Sequence, residues 1–269
     1  MNVLYFFYHI LKIQQTNLYT YNLITIKYQK AKRETDLCEY CDLLKNQHLH
    51  HLPAEHLEKL KVHHKTMEIK KNDYDRQFRN LQDGQSLVVF DFKQNLGLPM
   101  SPKEMSQDFF QKLPVSILTF VCFIKKNNNL FKKVFTFLSL CLNHNATFAS
   151  DCLERVLNSA MYMDISKVYL WSDNGPHFHN NQFINFIFLK NNFKNKVIEY
   201  NFFCEKHGKA VCDQFFGSMT RSLNDLSKKS TISNINELLS SLCTDYYNKS
   251  NEYFFEMFFS FLLVFYNKY

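Results

Sequence analysis

The chain has 269 residues, a formal charge of +7 and a hydrophobic fraction of 46% that includes 28 phenylalanines. That length accommodates one large domain plus a smaller appendage, and so much apolar side chain excludes an intrinsically disordered protein. The positive charge suits an anionic partner such as nucleic acid, but charge bears on association and not on fold. In chain order, residues 1–30 are aromatic and Tyr/Asn-rich without periodicity and stay unassigned. Residues 31–83 are charged and His-rich, and "PAEHLEKLKVHHKTMEIKK" reads as a helix, with Pro53 in the first turn and Leu57, Leu60 and His64 on one face. The glycine of "DGQS" marks a boundary between Asp83 and Ser86.

From 84 to 229 short apolar runs alternate with helical patterns. "SLVVFDF", "SILTFVCFI" and "KVFTFLSLCL" read as strands, and the polar "KKNNN" between the last two predicts a hairpin. "ATFASDCLERVLNSAMYM" puts Ala149, Leu153, Val156, Leu157 and Ala160 at helical spacing. "KVYLW" is a fourth strand, "NQFINFIFLKNNF" a helix, "KVIEYNFF" a fifth strand and "GKAVCDQFFGSMTRSLNDL" a further helix. The order βββαβαβα predicts an α/β fold, a mixed five-stranded sheet with helices on its faces and a helical N-terminal region. Residues 230–269 are expected to form a C-terminal helical segment. Its apolar run "YFFEMFFSFLLVFY" is shorter than the ~20 residues of a membrane helix and contains Glu256, so it reads as a buried terminal helix or a misread gene end rather than an anchor. The N-terminal "MNVLYFFYHIL" lacks the basic region and cleavage site of a signal peptide.

Asp91 closes the first strand and Asp173 the fourth, so each either faces solvent or enters a site at the carboxyl edge of the sheet. The turn after Asp173 is Asn174-Gly175-Pro176, in a chain with only five glycines and five prolines. Asp213 lies on the helix that follows the fifth strand, flanked by the small residues Ala210 and Gly217, which would allow close approach to another backbone. Three carboxylates brought together repel unless cations sit among them, and hard oxygen ligands suit Mg²⁺ or Mn²⁺.

The eight cysteines have no framework spacing and read as reduced, intracellular thiols. Cys38 and Cys41 form a Cys-x-x-Cys pair, followed by His48, His50, His51, His56, His63 and His64. That pair with two histidines could bind structural Zn²⁺, and the spacing makes His48 with His51 a feasible choice. Lys125, Lys126, Lys132 and Lys133 flank the hairpin loop, and further lysines surround the later motifs, a distribution that permits phosphate binding.

"WSDNGPHFHNNQF" resembles the second-aspartate motif of DDE/DDD transposases and retroviral-type integrases. "HGKAVCDQFFGSMTR" resembles the third-acid helix of a transposase-like family, and "LVVFDFKQNLGLP" its first-aspartate strand. The resemblance spans residues 86–225 and implies a ribonuclease H-like core whose metal ligands are Asp91, Asp173 and Asp213. Integrases usually carry Glu as the third acid, which leaves Glu205 as the other choice. His207 is a candidate for orienting a metal-bound water or contacting phosphate. The resemblance further implies a transposase or nuclease of a mobile element that acts on DNA with Mg²⁺ or Mn²⁺, intracellular and nuclear, a homo-oligomer if active, with neither a membrane nor a small-molecule substrate. The alternative from another class is a catalytically inactive transposase-derived module that binds DNA or protein.

Overall fold

A computed structural model describes residues 38, 41–42 and 53–259, apart from 104, 107–109, 141, 143, 190–192, 194, 205–206, 208–210 and 250–254. The chain divides into Met1–Thr35, which lies outside the described residues, and one compact unit, Asp36–Tyr269. The elements are α1 (Ala54–Arg79), β1 (Gln85–Leu98), β2 (Leu113–Lys126), β3 (Asn129–Ser139), α2 (Ala146–Leu157), β4 (Lys167–Ser172), α3 (Asn181–Leu189), β5 (Val197–Phe202), α4 (Val211–Ser227), α5 (Ile235–Lys249) and β6 (Phe255–Phe259). The sheet order is β5-β4-β1-β2-β3-β6. β1, β2 and β3 form an antiparallel meander, and β4 and β5 run parallel to β1. The predicted mixed α/β architecture and its five strands are therefore present.

Both faces of the sheet are covered, which is why its central strands read as nearly continuous apolar runs. Alternation along β1 sends Val88 and Phe90 to one face and Leu87 and Val89 to the other. The first face packs against α2 through Phe148, Leu153 and Val156 and against α3 through Phe183 and Ile187. The second packs against α1, α4 and α5 through Phe78, Phe216, Met219 and Leu242. Phe90, Phe120 and Phe137 are fully buried, and each such side chain contributes roughly 1.5–3 kcal/mol through its removal from water. Asn145 and Asn180 cap α2 and α3, their side-chain oxygens accepting from the amides of Phe148 and Phe183 at 2.9 and 2.8 Å.

The β2–β3 hairpin turns on Asn127 and Asn128, both at positive φ (52° and 60°) between the paired Lys126 and Asn129. That is the two-residue turn whose twist matches the strands, and asparagine tolerates it better than most residues. β1 continues beyond the predicted strand to Leu98, with a register shift between Lys93 and Leu96.

α1 is tied to the sheet: Trp171 Nε1 donates to Gln77 Oε1 at 2.7 Å, Gln77 Nε2 donates to Glu199, and Tyr74 meets Trp171 edge-on with ring centroids 5.5 Å apart. Among the described residues of the expected helical segment 230–269, Ile235–Lys249 is helical, whereas Phe255–Phe259 is a strand pairing in parallel with Val134–Leu138. Aromatic side chains favour strands, and the edge of β3 offers backbone partners that an isolated short helix would lack.

Candidate active site and Cys/His cluster

Asp91 and Asp173 occupy matching positions on neighbouring parallel strands. The last pair of the β1–β4 ladder is Phe90 with Ser172, and each aspartate is the next residue. Asp91 shares a face with Leu87 and Val89, and Asp173 shares that face with Trp171, so alternation aims both carboxylates toward the side covered by α4. Across β1 and β2, Asp91 pairs with Thr119, which pairs with Thr136, and the two buried threonine hydroxyls hydrogen-bond at 3.1 Å. A polar row thus crosses the sheet from the end of the β1–β4 ladder through Thr119 and Thr136.

The turn after β4 adds a histidine. Gly175 N donates to Asp173 Oδ1 at 3.2 Å, and the amides of Phe178 and His179 donate to Gly175 O at 3.0 and 2.8 Å. Phe178 is fully buried against Phe90 and Phe92 and anchors the turn. His177 is thereby carried back over Asp173, its Nε2 3.4 Å from Asp173 Oδ1, buried and without a hydrogen bond. One donor atom each from Asp91, Asp173 and His177 lie within 4.8 Å of one another, an arrangement able to hold a metal ion. The sequence places His177 four residues after Asp173, and that proximity was its only signal.

Asp213 sits in the first turn of α4 and is exposed. It is not one of the three donors within 4.8 Å, but its charge reaches Asp91. Burial, then Asp173, then Asp213 push the Asp91 carboxyl up to about 7, while the Phe92 amide and His177 oppose the rise. Lys93, two residues beyond Asp91, lies with its Nζ 5.9 Å from the centre of the Phe216 ring. Burial pulls the Lys93 pKa down and Asp213 pulls it up. The expected tight packing around Gly217 is absent: a Cβ there meets nothing within 4 Å, so this glycine serves no close approach. Ala210 and Glu205 lie outside the described residues.

Gly175 is the glycine that the site requires. A Cβ on it would fall 2.7 Å from His177 Cε1 and 3.0 Å from Asp173 Oδ2. Gly175→Ala therefore displaces the two side chains, and Mn²⁺ affinity measured by titration calorimetry is expected to fall about 10-fold or more. Unchanged affinity would show that His177 and the Asp173 carboxylate need no such approach.

A second cluster draws on three separate parts of the chain. Cys38, Cys41, His63 of α1 and His207, between β5 and α4, bring one donor atom each within 4.8 Å. His207 thus stands with the cysteines and not in the 4.8 Å carboxylate cluster. Burial, then the charges of His63 and His64, lower its pKa, which keeps the ring neutral near pH 7. His48 and His51 lie outside the described residues. His63 and His207 instead join Cys38 and Cys41, and no local spacing signals that pairing because two of the partners are 144 residues apart.

A family model described as a domain of unknown function (DUF8701) matches residues 70–257, more than half of the chain. The chain belongs to the DUF8701 family. Asp91, Asp173, His177, His207 and Asp213 all fall inside the DUF8701 segment, whereas Cys38, Cys41 and His63 precede it. No curated protein and no solved structure matches the chain. Among the described residues, no helix is long and apolar enough to cross a membrane.

Proposed function

We propose that this chain is a transposase-like, divalent-metal-dependent polynucleotidyl transferase or nuclease acting on DNA phosphodiesters, built on a ribonuclease H-like core. The observation that carries the reading is the pair Asp91 and Asp173, each the residue next after the last pair of the parallel β1–β4 ladder, with Asp213 acting on Asp91 from α4. The order β3-β2-β1-β4-β5, an antiparallel meander followed by two parallel strands, supports the fold assignment. The three sequence motifs occur in the matching order.

The donor set fits Mg²⁺ or Mn²⁺. Two carboxylates supply hard oxygens, and the buried His177 Nε2, otherwise without a hydrogen bond, supplies a nitrogen that tilts the set toward Mn²⁺. Bound there, such an ion activates water or a 3′-hydroxyl and stabilises the leaving oxygen of an in-line displacement. Asp91 and Asp173 hold their charges at fixed positions on the rigid sheet, and Lys93 offers a cation near Asp213 for a phosphate. Beside His177 a cleft of about 380 Å³, lined by His144, Asn145, Pro176, Asn180 and Gln182, gives a flanking strand a place to lie. His144 stacks on Phe92 with ring centroids 4.3 Å apart and donates from Nε2 to Asn95 Oδ1 at 3.1 Å, which stiffens that wall. DNA is the partner, nuclear action follows from that substrate, and a multimer follows from joining two ends.

The test is cleavage or transfer of labelled duplex DNA with Mg²⁺ or Mn²⁺, comparing wild type with Asp173→Asn. Metal-dependent activity lost in the variant supports the reading, and equal activity in both rejects the role of Asp173.

A further inference from the structure

We propose that Cys38, Cys41, His63 and His207 bind one structural zinc ion that clamps the N-terminal Cys-x-x-Cys segment and α1 to the loop leading into α4. The four donors are two sulfurs and two imidazole nitrogens, a soft set that selects zinc over the hard cations suited to the carboxylate site. Zn–S near ~2.3 Å and Zn–N near ~2.0–2.1 Å at tetrahedral angles place sulfur and nitrogen ligands about 3.6 Å apart and two nitrogens about 3.3 Å apart. The observed sulfur–nitrogen separations bracket their edge, and the nitrogen pair lies slightly inside its own. Cys38 Sγ and Cys41 Sγ stand 3.2 and 3.9 Å from His63 Nε2, Cys41 Sγ stands 3.4 Å from His207 Nε2, and the two Nε2 atoms are 3.1 Å apart. Four ligands close the coordination sphere, which is the mark of a structural and not a catalytic zinc.

The surroundings are built for the same purpose. His63 presents Nε2 to the cluster and turns Nδ1 toward Cys204 Sγ at 3.8 Å, an outer partner that orients the ring. His207 N donates to Cys204 O at 2.9 Å, so the loop leaving β5 folds back at the point where it offers its ligand. A bound ion ties residue 207 directly to residue 63, far upstream in the chain. Six residues after His207 comes Asp213, in the first turn of α4. The clamp therefore fixes the segment that presents the third acid. That last consequence rests on the proposed nuclease reading, while the zinc site itself does not.

The test uses the full chain and no DNA. Purified protein, dialysed against zinc and then against buffer, is expected to retain about one ion per chain by atomic emission. Its cobalt-substituted form is expected to show thiolate-to-metal charge transfer, a signature that needs no variant. His207→Asn and Cys38→Ser lose the ion, whereas His64→Asn, altered at the next position of the same helix, keeps it. Chelation accelerates amide exchange in residues 203–212 on the order of tenfold or more while the β1 amides stay protected. Failure to retain zinc, absence of the thiolate band, or a full equivalent of zinc in His207→Asn would overturn the site. Zinc binding with unchanged exchange at 203–212 would overturn the clamp. None of these outcomes depends on whether the protein cuts DNA.

Discussion

At pH 8 and without divalent ions, Asp91→Asn is expected to unfold at a higher temperature than the wild-type chain. The cause is the Asp91 carboxyl, whose pKa stands at about 7 in the folded protein because it is buried and faces Asp173 and Asp213. In an unfolded chain the same group titrates near ~3.9. Below about pH 4 it is protonated in both states and carries no penalty. Between about pH 4 and 7 the unfolded state releases its proton and the folded state retains it, so stability falls as pH rises, and above about pH 7 the loss is complete. The span corresponds to an upper bound on the order of 4 kcal/mol. If about half of that is recovered by the uncharged amide, the melting midpoint rises by roughly 4–8 °C at pH 8 and by nothing at pH 4.

Mn²⁺ should reverse the ranking, because a cation among the carboxylates stabilises the wild type and leaves Asp91→Asn nearly unmoved. The ion needs Asp91 ionised, so wild-type affinity is expected to be about tenfold weaker at pH 6 than at pH 8. Calorimetric melts of both proteins at about pH 4, 6 and 8, with and without a series of Mn²⁺ concentrations, read all of this. An Asn variant no more stable than wild type at pH 8 would show that Asp91 carries no penalty.

Asp173→Asn is expected to slow DNA-strand cleavage by at least about 10³-fold, or about 4 kcal/mol of barrier. The substitution keeps the shape of the turn, since the amide oxygen can still accept from Gly175 N, and removes only the charge. Asp173→Glu is expected to lose almost as much for the opposite reason. It keeps the charge but pushes the carboxylate one methylene beyond a position fixed by the ladder and by the Gly175 turn, and misplacement by about 1 Å can cost 10²-fold. Single-turnover cleavage of a labelled duplex in Mn²⁺ distinguishes the two effects. Full activity in the Glu variant would mean that charge alone is needed there, and full activity in the Asn variant would remove Asp173 from the chemistry.

The sheet was legible in the sequence because both of its faces are covered. Strands such as "SLVVFDF" and "SILTFVCFI" are apolar on both sides, and the Asn-rich loop between β2 and β3 announces a hairpin turn. Asp91 and Asp173 were legible because each breaks such a run at its end. The juxtaposition of the two depends on β4 crossing over to pair in parallel with β1, a neighbour that the order of elements alone does not name.

What could not be read was set by contacts between distant segments. Six histidines follow Cys41 before the helix ends, and only the docking of α1 through Tyr74, Gln77 and Phe78 decides that His63 meets His207. The small residue at Gly217 looked like a packing contact, yet it faces open space, because side-chain size records what fits and not what is present. The run around Phe255–Phe259 has neither helical nor alternating periodicity strong enough to decide, and the open edge of β3 settles it as a strand.

The central claim is that Asp91 and Asp173 share a divalent cation. Crystals soaked in Mn²⁺ and measured near the manganese absorption edge test it most directly. The account predicts an anomalous peak within about 2.0–2.6 Å of a carboxylate oxygen from each aspartate, next to His177 Nε2 and lost in Asp91→Asn. Manganese bound only elsewhere on the molecule, with the two carboxylates turned apart, would contradict it.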